Sequence, residues 1–124
     1  MTIKVLLADD EEDVLNVAKA SLEIEDRFEL LTVGDGQQAL EMCIAEKPDL
    51  VLLDLLMPKM SGITVCRELR AAPETKDMKI AILTALAQES DKQSALLAGA
   101  DDFVTKPFSP TQLLGKVGQL LGLD

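Results

Sequence analysis

Apolar and polar positions along this chain follow two alternating rhythms. Short runs rich in Leu, Ile and Val are nearly continuous, and the longer stretches between them place apolar residues every three or four positions. The first rhythm predicts strands buried on both faces, the second amphipathic helices. Residues 3–8 are a predicted strand, and 13–25 a helix with Val14, Leu15, Ala18 and Leu22 on one face. A second strand at 28–33 ends at Gly34-Asp35-Gly36, and the helix 37–47 turns Ala39, Leu40, Cys43 and Ile44 inward. Pro48-Asp49 stops that helix before a third strand at 50–54. A helix at 62–72 meets Pro73, a strand follows at 79–83, and a helix at 88–98 is closed by Gly99. The last strand, 102–105, leads to a helix with Ser109 as N-cap, Pro110 at its first position, and Leu113, Leu114, Val117, Leu120 and Leu121 on its apolar face. Gly115 and Gly118 within that helix are unfavourable by about 1 kcal/mol each relative to Ala, so they mark either close packing or a weak helix.

Strand and helix thus alternate five times over 124 residues, the size of one ordinary domain. The expected fold is α/β, a parallel sheet covered on both faces, with no internal linker or low-complexity run. With three Phe and neither Tyr nor Trp, the core is aliphatic. The formal charge of −10 argues against direct nucleic-acid binding, which relies on Lys and Arg to displace counterions. Cys43 and Cys66 fall on apolar helix stripes and read as small buried hydrophobes rather than a disulfide. The apolar start of the chain is too short for a signal peptide, and the longest apolar tract, at 50–58, is interrupted by Asp54 and too short for a membrane span. A cytoplasmic location is the resulting expectation.

Ligands of an open parallel sheet bind beyond the carboxyl ends of its strands. Strand one ends in Asp9-Asp10, strand three in Asp54, strand four in Thr84, and strand five in Lys106-Pro107. Each residue has an ordinary reading: Asp10 as a cap of the first helix, Asp54 as a turn residue, Thr84 as a strand end, Lys106 as surface charge. Their convergence on one sheet edge is what points to chemistry. Crowded carboxylates repel, and a hard cation relieves that cost. With no His and two separated Cys, an oxygen site for Mg²⁺ is expected rather than zinc or copper. A cation, an ammonium and a hydroxyl beside a carboxylate are the parts that phosphoryl transfer needs.

The segments 5–11, 48–58 with Ser61-Gly62, 82–85 and 99–108 resemble, in order and spacing, the motifs of response-regulator receiver domains. The resemblance implies a flavodoxin-like fold with strand order 2-1-3-4-5 across one domain, 1–124. It implies that Asp54 accepts the phosphoryl group, and that Asp10 directly, Asp9 mainly through water, Asp54 and the Leu56 backbone carbonyl hold Mg²⁺, or Mn²⁺ in its place. Thr84 and Lys106 would bind phosphoryl oxygens, and the Lys106–Pro107 bond would be cis. Phe103 stands where the family carries a switching aromatic, often Tyr; here the hydroxyl is missing. Leu56 and Leu86 would flank the approach of hydrolytic water and slow dephosphorylation.

The implied partners are a sensor histidine kinase or phosphotransfer protein upstream and a downstream protein or fused output domain, reached through helix four, strand five and helix five. The last helix offers Lys116 as its one basic residue, so a monomer or weak dimer is expected rather than the ion-paired dimer of DNA-binding regulators. Rival classes fit less well. A haloacid-dehalogenase-type phosphatase would place an acid-base Asp two residues after the nucleophile, where this chain has Leu56. A receiver-like domain that is never phosphorylated would not need the full residue set. A nucleotide- or flavin-binding flavodoxin-like domain would want a Gly-rich phosphate loop in place of the acidic first turn.

Overall fold

A computed structural model describes residues 2–85 and 89–123. The elements are β1 (Ile3–Ala8), α1 (Glu12–Leu22), β2 (Phe28–Val33), α2 (Gly36–Glu46), β3 (Leu50–Asp54), α3 (Gly62–Ala71), β4 (Lys79–Thr84), α4 (Glu89–Leu97), β5 (Asp102–Thr105) and α5 (Pro110–Leu120). The strands form one parallel sheet in the order β2-β1-β3-β4-β5.

Successive side chains of a strand point to opposite faces, so one near-continuous apolar run feeds two cores. Val5, Leu7, Leu50, Leu52, Ala81 and Leu83 pack with Ala18 and Leu22 of α1 and Leu113 and Val117 of α5. Leu6, Ala8, Val51, Leu53, Ile80 and Ile82 pack against Ala39 and Cys43 of α2, Val65, Cys66 and Leu69 of α3, and Ala95 of α4. Burying each such aliphatic side chain is worth about 1.5–3 kcal/mol. Both cysteines are buried and unpaired, and burial pushes the Cys43 thiol up to about 12.

Several ends differ from the sequence expectation. Helix α1 stops at Leu22 rather than at 25, because Glu25 and Phe28 form a turn (Phe28 N–H to Glu25 C=O, 3.2 Å) that feeds β2. The only apolar residue of that overrun, Ile24, is 74% exposed and offers no packing to extend the helix. Ile44 is exposed rather than inward, since the buried stripe of α2 runs through Ala39 and Cys43. A Cβ at Gly115 would meet nothing and one at Gly118 only the Leu123 carbonyl at 3.9 Å, so these glycines serve no close packing. Position 88, the expected start of α4, lies outside the described residues. Ala72 leaves the helical region just before Pro73, whose ring disfavours helical geometry in the residue preceding it. The Ser109–Gln112 pair forms a full capping box on α5.

Gly99, at φ +105°, closes the turn after α4 under the Arg70 side chain. Arg70 donates to the carbonyls of Gly99 (2.8 Å), Lys76 (2.9 Å) and Met78 (2.5 Å) and pairs with Asp101 (3.0 Å). Asp101 in turn accepts the Ile80 N–H at 2.8 Å. This network ties α3 to the starts of β4 and β5, and so sets the height at which the far ends of those strands emerge.

Candidate functional site

The chain leaves β1 for one edge of the sheet and β3 for the other, so a crevice opens where their carboxyl ends part. Asp9 follows β1 directly and is completely buried, anchored by its N–H to the Val33 carbonyl (3.1 Å). Asp54 ends β3 and is 6% exposed, and Thr84 ends β4 at 4%. The loop after Asp54 folds back so tightly that a Cβ on Gly62 would lie 2.3 Å from the Asp54 carbonyl oxygen; only glycine fits there. The Lys106–Pro107 bond is cis, as the resemblance implied.

These strand ends bring one ammonium against three carboxylates. Lys106 Nζ stands 2.7 Å from Asp9 Oδ2, 2.9 Å from Glu11 Oε1 and 3.3 Å from Asp54 Oδ1. The Glu11 contact is an aligned hydrogen bond. Asp9 Oδ2, sealed from solvent, has the Lys106 ammonium as its one close donor. Burial pushes the Asp54 carboxyl up to about 6, reinforced by Asp9 and opposed by Lys106 and the Leu56 backbone. Burial works against the Lys106 charge too, but Asp9, Glu11 and Asp54 outweigh it and lift the ammonium above the ordinary lysine range. The site therefore holds a permanent cation next to a carboxylate that ionises reluctantly.

One oxygen each from Asp9, Glu11 and Asp54 lie within 4.8 Å of one another. An all-oxygen set whose buried member, Asp9 Oδ2, has only Lys106 as a close donor fits a hard divalent cation. Asp10 is exposed and lines the same cleft of about 310 Å³, together with Leu56, Thr84 and Lys106, but stands outside this carboxylate trio. Nor does Asp10 cap α1: Glu11 occupies the N-cap, without a side-chain cap bond, and its N–H binds Asp9 Oδ1 at 2.9 Å. Reading only strand ends missed Glu11. The five-residue acidic run from 9 to 13 was the available signal, but not which member turns toward the sheet.

Leu56 is 68% exposed at the mouth of the cleft, while Leu86 lies outside the described residues. Phe103 is half-buried on β5, and Lys92 of α4 places its Nζ 4.8 Å from the ring centroid, a cation–π contact. Lys116 is bound to Asp102 within the same chain at 3.0 Å.

The family model for the response regulator receiver domain matches residues 5–118. The chain belongs to the response regulator receiver family. Such receivers are phosphoacceptor switches of two-component systems, not generally classed as enzymes. The receiver is 40% identical over 121 residues to the alkaline phosphatase synthesis transcriptional regulatory protein PhoP of Bacillus subtilis, covering 98% of this chain and 49% of that protein. It thus spans about half the length of that curated relative. Its fold superposes on the chemotaxis response regulator CheY4 of Vibrio cholerae with a TM-score of 0.91 at 28% identity, over 98% of this chain and 100% of the other. It also superposes on the receiver domain of the Pseudomonas aeruginosa sensor histidine kinase PA1611, whose structure has a magnesium ion coordinated in the active site cleft. That match has a TM-score of 0.88 at 29% identity and covers 98% of this chain and 99% of the other. Among the described residues no helix is long and apolar enough to cross a membrane.

Proposed function

We propose that this receiver, read as one domain, takes a phosphoryl group onto Asp54 from a histidine kinase or phosphotransfer protein, in a reaction dependent on Mg²⁺. The observation that carries the reading is the Lys106 ammonium lodged between Asp54 and buried Asp9 at the sheet crevice, 3.3 Å and 2.7 Å from their oxygens. In the transfer an Asp54 oxygen forms the new bond to phosphorus as the donor's bridging bond breaks, its electron pair leaving with the donor group. Mg²⁺, held by Asp9, Asp10 and Asp54, would neutralise charge on the phosphoryl oxygens. Asp10 and Leu56 line the cleft, and the Leu56 carbonyl is assigned to that cation as well. Lys106 and Thr84 take the phosphoryl oxygens, and fixed donors in a buried site need little reorganisation to do so. Leu56, with Leu86, limits water access to the acyl phosphate.

Asp54 phosphorylation adds negative charge and acceptor oxygens that draw on Thr84, and Phe103 then turns inward, changing the α4–β5–α5 face. The half-exposed ring under Lys92 supports a ring-out ground state. The signal passes to a protein partner or an output domain in the cytoplasm, not directly to nucleic acid. With Lys116 already paired to Asp102, a monomer or weak dimer is favoured over an ion-paired dimer.

Incubation with acetyl phosphate and Mg²⁺ tests the phosphoacceptor: one phosphoryl mass should appear on the wild type and none on Asp54→Asn. Undiminished labelling of that variant would overturn the assignment. Beryllofluoride with Mg²⁺ tests the output: amide shifts should extend to α4 and β5, and shifts confined to the cleft would refute this face.

A further inference from the structure

We propose that Glu11 is a positioning residue that clasps Lys106 in the unphosphorylated receiver and must release it for the phosphoryl group to be held. The proposal rests on the phosphoacceptor reading of Asp54. An ammonium has three donors and no more. Lys106 faces three carboxylates within 3.3 Å: Asp9, Glu11 and Asp54. A phosphoryl group on Asp54 presents new acceptor oxygens, so Lys106 reaches them only by giving up a present partner.

Burial decides which partner yields. Asp9 is fully enclosed, with Oδ1 committed to the Glu11 N–H at 2.9 Å, so its side chain has nowhere to go. Asp54 is the residue being modified. The Glu11 side chain is 60% exposed and can swing into water at little loss. Lys106 is hydrogen-bonded to Asp9 and Asp54 as well as to Glu11, so all three of its donors are engaged. While clasped, its carboxylate stands where a phosphoryl oxygen would be bound, adding negative charge against an anionic donor. Release relieves both. Partly exposed ion pairs of this kind shift equilibria by about two- to fivefold, a size suited to tuning rather than abolishing the reaction.

The test compares wild type, Glu11→Gln and Glu11→Asp, with saturating Mg²⁺. Glu11→Asp keeps the charge but is one methylene too short to span to Lys106. Two quantities are measured: the rate of Asp54 phosphorylation by acetyl phosphate, and beryllofluoride affinity by calorimetry. A calorimetric Mg²⁺ titration without phosphodonor is run beside them. Loss of the clasp should make both variants phosphorylate about two- to fivefold faster and bind beryllofluoride tighter by a similar factor. A gain in Glu11→Gln alone would mean the field of the charge matters and the clasp does not, overturning the proposal. Slower phosphorylation together with at least tenfold weaker Mg²⁺ binding in Glu11→Gln would make Glu11 a metal ligand and also overturn it. Unchanged rates and affinities in both variants would do the same. A wild type that gains no phosphoryl mass would instead strike down the phosphoacceptor reading itself.

Discussion

Removing the Asp54 charge should stabilise the metal-free receiver, and by an amount that depends on pH. Burial, with Asp9 beside it, raises the Asp54 carboxyl from its ordinary 3.8 to about 6. The folded protein therefore holds this proton more tightly than the unfolded chain does. Below pH 3.8 both states are protonated and nothing is lost. As pH rises the unfolded chain releases its proton first, so stability falls through the window and the loss is complete above about 6. The interval corresponds to about 3 kcal/mol, about half of it already lost at pH 5. Asp54 and Lys106 side chains are each 9% exposed, so solvent screens this little. Asn at 54 cannot ionise, and Lys106 retains Asp9 and Glu11 as partners.

Asp54→Asn should thus be more stable than wild type by about 1–3 kcal/mol at pH 7.5, with about half that gain at pH 5. For a chain of this size 1 kcal/mol is worth about 4 °C in melting temperature. The assay is thermal and urea unfolding followed by circular dichroism in chelator, at pH 5.0 and 7.5, keeping clear of the sequence pI of 4.4. Adding Mg²⁺ should narrow the gap, because a ligand that binds the native carboxylates stabilises the wild type more. An equal difference at both pH values, or a less stable variant at pH 7.5, would refute the electrostatic account.

Other expectations concern the cleft mouth and the frame beneath it. Leu56→Asn should shorten the life of phosphorylated Asp54 severalfold, measured by loss of phosphoryl mass after donor removal; an unchanged or longer lifetime would refute shielding. Arg70→Lys should destabilise by about 2–4 kcal/mol in urea unfolding, because one ammonium cannot serve three carbonyls and Asp101 in a planar fork. Gly62→Ala should slow phosphorylation and lower stability together, since its Cβ would press 2.3 Å from the Asp54 carbonyl oxygen and the backbone there must shift.

The pattern of strands and helices was legible in the chain because it is local. The apolar run at 50–54 reads as a strand buried on both faces whatever surrounds it, and β1, β2, β3 and β5 begin and end as the pattern indicates. The strand ends, and with them Asp9, Asp54, Thr84 and Lys106, followed from that periodicity. Ends of helices were less legible where tertiary packing competes, as at α1, which yields its last turn so that Phe28 can enter the sheet. Ile44 shows the same limit: apolar spacing on α2 admits two overlapping stripes, and only the position of β1 and α3 selects Ala39 and Cys43. The acidic run 9–13 is the clearest case. Sequence shows five carboxylates following β1. Which ones meet Lys106 depends on the backbone direction at the α1 N-cap, where Asp9 is driven inward, Asp10 outward and Glu11 over the crevice. Identity and order are properties of the chain, whereas the direction of a side chain at a turn is set by everything the turn connects.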